Sequence, residues 1–144
     1  MNEQENAVSF FRFEDLRIYE KALEYARWLY KATSNFSGSQ ELNLAESFLK
    51  SAQSIVLNIA EGSARNKAQF IYYLKMAKSS LRECVAYTEL AARLGAFGEE
   101  EKEYSRNQLM ELTRMIGSLV SSLQRTTTQS NSRHDDDMDM MFDL

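Results

Sequence analysis

Residues 58–65 read "NIAEGSAR", which sets Asn58, Glu61 and Arg65 around Gly62 between two apolar amphipathic stretches. An amide, a carboxylate and a guanidinium this close together can hold a polar ligand. They can also satisfy the loose backbone groups where one helix ends and the next begins. Gly62 fits a left-handed position just past a helix C-terminus, where glycine has no steric cost. Glu61 would face the negative end of that helix dipole and so needs a local partner, which Arg65 or the free amides of the following helix supply. Asn58, one turn earlier, can bond a loose carbonyl. We read Asn58, Glu61, Gly62 and Arg65 as a structural corner, with a polar ligand site as the functional alternative.

Other catalytic chemistries find little material. The one histidine, His134, lies near the end of the chain, and the one cysteine is Cys84. A tetrahedral zinc site, or a di-iron bundle site built on Glu-x-x-His pairs, has no ligand set here. No glycine-rich loop cradles a phosphate, and the body has no histidine to act as base for a serine or cysteine nucleophile. Cys84 falls on the inward stripe of a helix, where a thiol usually serves as a small hydrophobe. The pair Glu99 and Glu103 sits at an exposed helix start. The expectation is a protein without catalytic residues, metal or cofactor.

These residues must be carried by helices. The 144 residues include no proline and only five glycines, enough chain for one core and too few breakers for a β-rich fold. Apolar residues recur at three and four in four segments. In the first, residues 13–34, the inward stripe is Leu16, Tyr19, Leu23, Ala26, Tyr30 and Thr33. The second, residues 39–61, opens on a Ser37/Gln40 capping box and carries Ala45, Phe48, Leu49, Ala52, Ile55, Val56 and Ile59. The third starts at an Asn66/Gln69 box, runs through Phe70, Leu74, Ala77, Leu81, Cys84, Thr88 and Ala91, and ends at a left-handed Gly95. The fourth begins in "EEEKE", residues 99–103, suited to a positive dipole end, and carries Leu109, Leu112, Ile116, Leu119 and Leu123. Long helices with short connections predict an all-α, up-down-up-down antiparallel four-helix bundle over residues 13–127, after an N-terminal extension of residues 1–12. Further apolar residues, Trp28, Leu29, Leu44, Leu57, Ile71, Tyr72, Tyr73, Met76, Val85, Tyr87 and Leu90, exceed what one bundle core needs. We expect them to meet a second copy, the alternative being burial within wide helix faces.

Charge divides the chain in two. Residues 131–144, "NSRHDDDMDMMFDL", hold one Arg and five Asp and account for the whole net charge of -4, leaving 16 basic and 16 acidic side chains elsewhere. Behind the polar spacer "TTTQSNS", residues 128–144 read as a flexible acidic tail. Its residues Asp135, Asp136, Asp137, Met138, Asp139, Met140, Met141, Phe142, Asp143 and Leu144 mix acids with large apolar groups, a character suited to docking in a protein partner's groove. The tail can alternatively screen a basic surface, or simply solubilise. That basic surface lies on the third helix, where Lys67, Lys75, Lys78, Arg82 and Arg93 stand against Glu83 and Glu89. Spaced by three and four, Lys75, Lys78 and Arg82 share a face that can track RNA or DNA phosphates with steep salt dependence. A solvated face paired with neighbouring glutamates is the plainer reading. No segment has the basic start and apolar run of a signal peptide, and no apolar run reaches membrane-spanning length, so a cytoplasmic protein without membrane contact is expected.

Three stretches, "FEDLRIYEKALEYARWLY", "SAQSIVLNIAEGSAR" and "FIYYLKMAKSSLRECVAYTELAARLG", together resemble the four-helix-bundle proteins first noticed as reading frames within intervening sequences of bacterial 23S rRNA genes. The similarity spans about residues 11–125. It is most specific from Ser54 to Arg65, with Ser79, Ser80, Leu81 and Glu83 downstream. The chain departs from the family pattern at "NFSGSQE", where a proline often precedes helix two. The resemblance implies a non-catalytic bundle assembled as a homo-oligomeric, pentameric ring. A related fold, the accessory variability determinant of diversity-generating retroelements, implies a basic pentamer that contacts nucleic acid and the reverse transcriptase.

Overall fold

Four helices connected by short turns carry the chain in the computed structural model, which describes residues 12–128; among these there is no strand. A short 3-10 turn, Arg12–Asp15, leads into α1 (Arg17–Ala32), followed by α2 (Gly38–Ser63), α3 (Lys67–Arg93) and α4 (Glu99–Thr128). α4 takes in residues 126–128, so the helix extends into what the sequence suggested was a polar spacer.

The core follows the stripes of α2, α3 and α4 closely. Phe48, Ala52, Ile55, Ile59, Leu74, Ala77, Leu81, Leu109, Leu112 and Ile116 are all at most 1 % exposed. On α1 the expected stripe is displaced. Ile18, Ala22, Tyr25, Ala26 and Leu29 are buried, whereas Leu23 and Tyr30 are exposed. Apolar residues cover much of this helix's circumference, so two neighbouring faces satisfy the same three-four spacing, and packing against α2 and α4 selects between them.

Helix ends explain the turns. Asn66 caps α3, its Oδ1 accepting from the Gln69 amide at 2.9 Å. The expected Ser37/Gln40 box is absent: the Ser37 side chain makes no capping bond, and its backbone amide donates to Glu41 Oε1 at 3.3 Å. α3 ends in a Schellman motif. Gly95 adopts φ 77°, its amide donates to Ala92 O at 3.1 Å, and the Ala96 amide donates to Ala91 O at 2.9 Å. This turn drives Phe97 into the end of the bundle, 3 % exposed, with Phe36, Phe48 and Trp28 ring centroids within 6.0 Å.

One polar chain crosses the core. The Tyr25 hydroxyl lies 2.8 Å from Ser105 Oγ, Ser105 Oγ 2.8 Å from Thr88 Oγ1, and Thr88 donates to Cys84 O at 2.7 Å. Thr88 has one hydroxyl proton and it is used on Cys84 O, so Ser105 must donate to Thr88 and Tyr25 to Ser105. Three helices are thereby tied by a chain of fixed direction. Burial pushes the Tyr25 hydroxyl and the Cys84 thiol well above their ordinary pKa values, with neighbouring Cys84 and Glu83 charge, respectively, adding to each rise.

Candidate functional site

The corner between α2 and α3 is built differently from the sequence reading. Gly62 lies inside α2, which continues to Ser63, and is not among the glycines with positive φ. Its small size serves a close approach instead: a Cβ placed there would stand 2.6 Å from Tyr73 Cβ and 3.0 Å from Phe70 Cδ1. Asn58 does not reach the end of the helix. It turns back one turn within α2, donating to Ser54 O at 2.8 Å and to Ser54 Oγ at 3.0 Å, the oxygen that also accepts from Ser80 of α3. Glu61 and Arg65 do pair, at 2.5 Å, and the Arg65 guanidinium lies 5.6 Å from the centre of the Tyr73 ring. The Glu61 hydrogen bond, then Tyr73 and the Glu61 charge, raise the Arg65 pKa above its already high ordinary value. The acid at the helix end thus has its expected partner.

Around Asn58 runs a polar seam between α2 and α3. Ser51 donates to Glu83 Oε2 at 2.6 Å, and Ser80 donates to Ser54 Oγ at 2.8 Å. Ser51 and Ser80 are buried. Ser51, Ser54 and Asn58 recur at three and four along α2, with Ser80 and Glu83 answering on α3. That spacing was visible in the sequence, but polar residues flanking an apolar stripe give no sign of which helix they face. The seam fixes the register of the two helices through directional bonds.

The basic residues of α3 do not form one continuous exposed stripe. Lys75 is 7 % exposed, so the expected shared face of Lys75, Lys78 and Arg82 is broken at its first member. Helical spacing sets Lys75 in line with Arg82 and away from the inward stripe of Leu74, Ala77 and Leu81, so its burial does not come from the bundle core. Lys67, Arg82 and Arg93 are exposed and Lys78 is half-buried. Among the described residues none of these four enters an ion pair. α3's own acids are engaged elsewhere. Glu89 Oε1 lies 3.5 Å from Lys102 and Oε2 4.0 Å from Arg106, both on α4, while Glu83 accepts from Ser51.

Beside these cations lies a partly exposed apolar strip. Of the apolar residues that the sequence left over, Leu29 and Leu44 are buried and Trp28, Ile71, Val85 and Tyr87 pack against the core. Leu57 on α2 and Tyr72, Met76 and Leu90 on α3 are exposed by 41–65 %. Helical geometry places Tyr72, Met76 and Leu90 on one strip, with exposed Ser79, Glu83 and Ala86 between them.

Among the described residues no cluster of three or more His, Cys, Asp or Glu side chains could hold a metal ion, and no helix is long and apolar enough to cross a membrane. The acidic residues 135–144 lie outside the described residues.

No curated protein matches the chain. A 1.70 Å crystal structure of a protein of unknown function from the S23 ribosomal protein family of Bacteroides thetaiotaomicron is similar in fold, with a TM-score of 0.67 at 24% identity, over 72% of this chain and 95% of that one. The model of the 23S rRNA-intervening sequence protein family matches residues 14–118, the part of the chain that forms the turn before α1, α1 to α3 and two thirds of α4, and the protein belongs to that family.

Proposed function

We propose that this protein is a non-enzymatic, self-assembling helical bundle that binds RNA or DNA phosphates through Lys67, Lys78, Arg82 and Arg93 of α3. The observation that carries this reading is that these four cations enter no ion pair among the described residues, while the acids of α3 are drawn toward α2 and α4. Cations left unneutralised on one helix form the electrostatic footprint that a phosphate backbone meets. The contacts Ser51 with Glu83, Ser54 with Ser80, and Gly62 with Tyr73 support α2 and α3 running antiparallel in an up-down-up-down bundle. Self-association is supported by the exposed strip of Tyr72, Met76 and Leu90 on α3, and by Leu57, which is also exposed, on α2. A homo-oligomeric ring, pentameric by family resemblance, would repeat the α3 cations around its circumference. A second reading, an adaptor acting through residues 135–144, rests on the alternation of Asp with Met, Phe and Leu in that segment.

Light scattering coupled to salt-titrated binding of single-stranded RNA and duplex DNA tests the main reading. Wild type is expected to form a particle several chains in size and to bind with an affinity that falls steeply with salt. Changing Lys67, Lys78 and Arg82 to Glu is expected to abolish binding without dissociating the particle. A wild-type particle that binds neither nucleic acid at low salt would overturn the reading and leave the adaptor in its place.

A further inference from the structure

A groove of about 400 Å³ opens where the start of α1 meets the second half of α4. Its apolar floor is Leu16, Ile18, Met115 and Leu119, and Arg17 and Arg114 stand at its edges. Both arginines are exposed, and among the described residues neither enters an ion pair; Arg114 contacts Met110 Sδ at 3.4 Å. The lining includes no acid. Glu111, the nearest acid along α4, is held by Lys21 at 3.1 Å. An apolar floor between two cations calls for an occupant that alternates large apolar side chains with carboxylates.

We propose that residues 135–144 of the same chain are that occupant. "DDDMDMMFDL" has this alternation, with Met138, Met140, Met141 and Phe142 available for the floor and Asp139 and Asp143 for Arg17 and Arg114. Reach permits it. α4 ends at Thr128, nine residues beyond Leu119, which is roughly 14 Å of helix. The six residues between Thr128 and Asp135 span up to about 20 Å when extended, so the segment can fold back along α4. Docked there, the acids lie against α1 and α4 and not against the cations of α3, and a protein partner for the tail would have to compete with the groove. The proposal does not depend on nucleic-acid binding.

The test uses the full chain carrying Ser132→Cys, modified with a nitroxide spin label; Cys84 is buried and remains unlabelled. Selective broadening of the amide resonances of residues 16–18 and 114–119 is expected, and the double variant Arg17→Glu, Arg114→Glu should remove it while leaving the helical circular dichroism unchanged. Uniform absence of broadening, broadening centred on Lys78 and Arg82, or broadening seen only between labelled and unlabelled copies in a mixed sample would each overturn the proposal. So would a label at Ser9→Cys that broadens the groove when the tail label does not, since residues 1–11 would then be the occupant.

Discussion

Gly62 of α2 and Tyr73 of α3 approach so closely that a Cβ built on the glycine would lie 2.6 Å from the tyrosine's own Cβ. The obstructing atom is fixed to the α3 backbone and cannot swing away, so a methyl group here must push two helices apart. Overpacking of this kind costs about 1–3 kcal/mol, against which alanine's better helix propensity returns up to about 1 kcal/mol. Gly62→Ala should therefore destabilise by about 1–2 kcal/mol. Gly117 is the internal control: it is helical, and a Cβ built on it would meet nothing within 4 Å, so Gly117→Ala should stabilise by about 0.5–1 kcal/mol. Urea denaturation of the two variants would show opposite signs, and a stabilised Gly62→Ala would mean that the helices are not in contact there.

The direction of the buried hydroxyl chain gives an asymmetric prediction. Ser105→Ala leaves the Tyr25 proton without its acceptor in a site from which water is excluded, at a cost of about 1–3 kcal/mol. Tyr25→Phe removes that donor and leaves Ser105 still donating to Thr88, so it should cost about 1 kcal/mol or less. In the double variant the second substitution should add almost nothing, since the stranded group is gone. Additive losses in a double-mutant cycle would argue against the assigned direction.

Alkaline pH probes the same interior. Tyr25 and Cys84 both have folded pKa values raised above their ordinary 10 and 9, with burial the largest cause. Their contribution is fully present below those ordinary values. Above them the unfolded chain loses protons that the folded chain retains, so stability falls as pH rises. Unfolding free energy should be level in these groups' contribution up to about pH 9 and then decline, and Tyr25→Phe should have a shallower decline above pH 10 than wild type. An unchanged slope in the variant would show that Tyr25 is not protected from ionisation.

Legibility differed between neighbouring features for identifiable reasons. Gly95 was readable because a glycine after "RL" at the end of an apolar repeat has one common use, the left-handed cap that it forms. Gly62 carried the same local signal, yet its conformation is helical, since the need for it comes from Tyr73 on another helix and is invisible to local spacing. Asn66 and the Glu61 pair with Arg65 are local and were expected. Phe97, Ser105 and the serines of the α2 and α3 seam act across helices, and a pattern along one helix does not say what faces it. Substitution distinguishes the two glycine roles. Gly95→Ala should cost about 1–2 kcal/mol through backbone strain alone, there being open space around it, and Gly95→Asn should cost less.

Lys75 is set apart from the exposed cations of α3 by its burial. It differs from Arg82, seven residues on and nearly in line with it along α3, in being 7 % exposed where Arg82 is open to solvent. Reversing the charge at a buried position replaces a long stem that fills space with a shorter carboxylate that must be desolvated, so Lys75→Glu should destabilise by about 2 kcal/mol or more. Arg82→Glu should stay within about 0.5 kcal/mol of wild type. For nucleic-acid binding the order should reverse. Arg82→Glu should lower the slope of log affinity against log salt by about one phosphate contact per chain, whereas Lys75→Met, which keeps most of the buried stem, should leave that slope unchanged. A Lys75→Met variant that remains folded but loses salt-dependent binding would return Lys75 to the interface and require that α3 expose it when the ligand is bound.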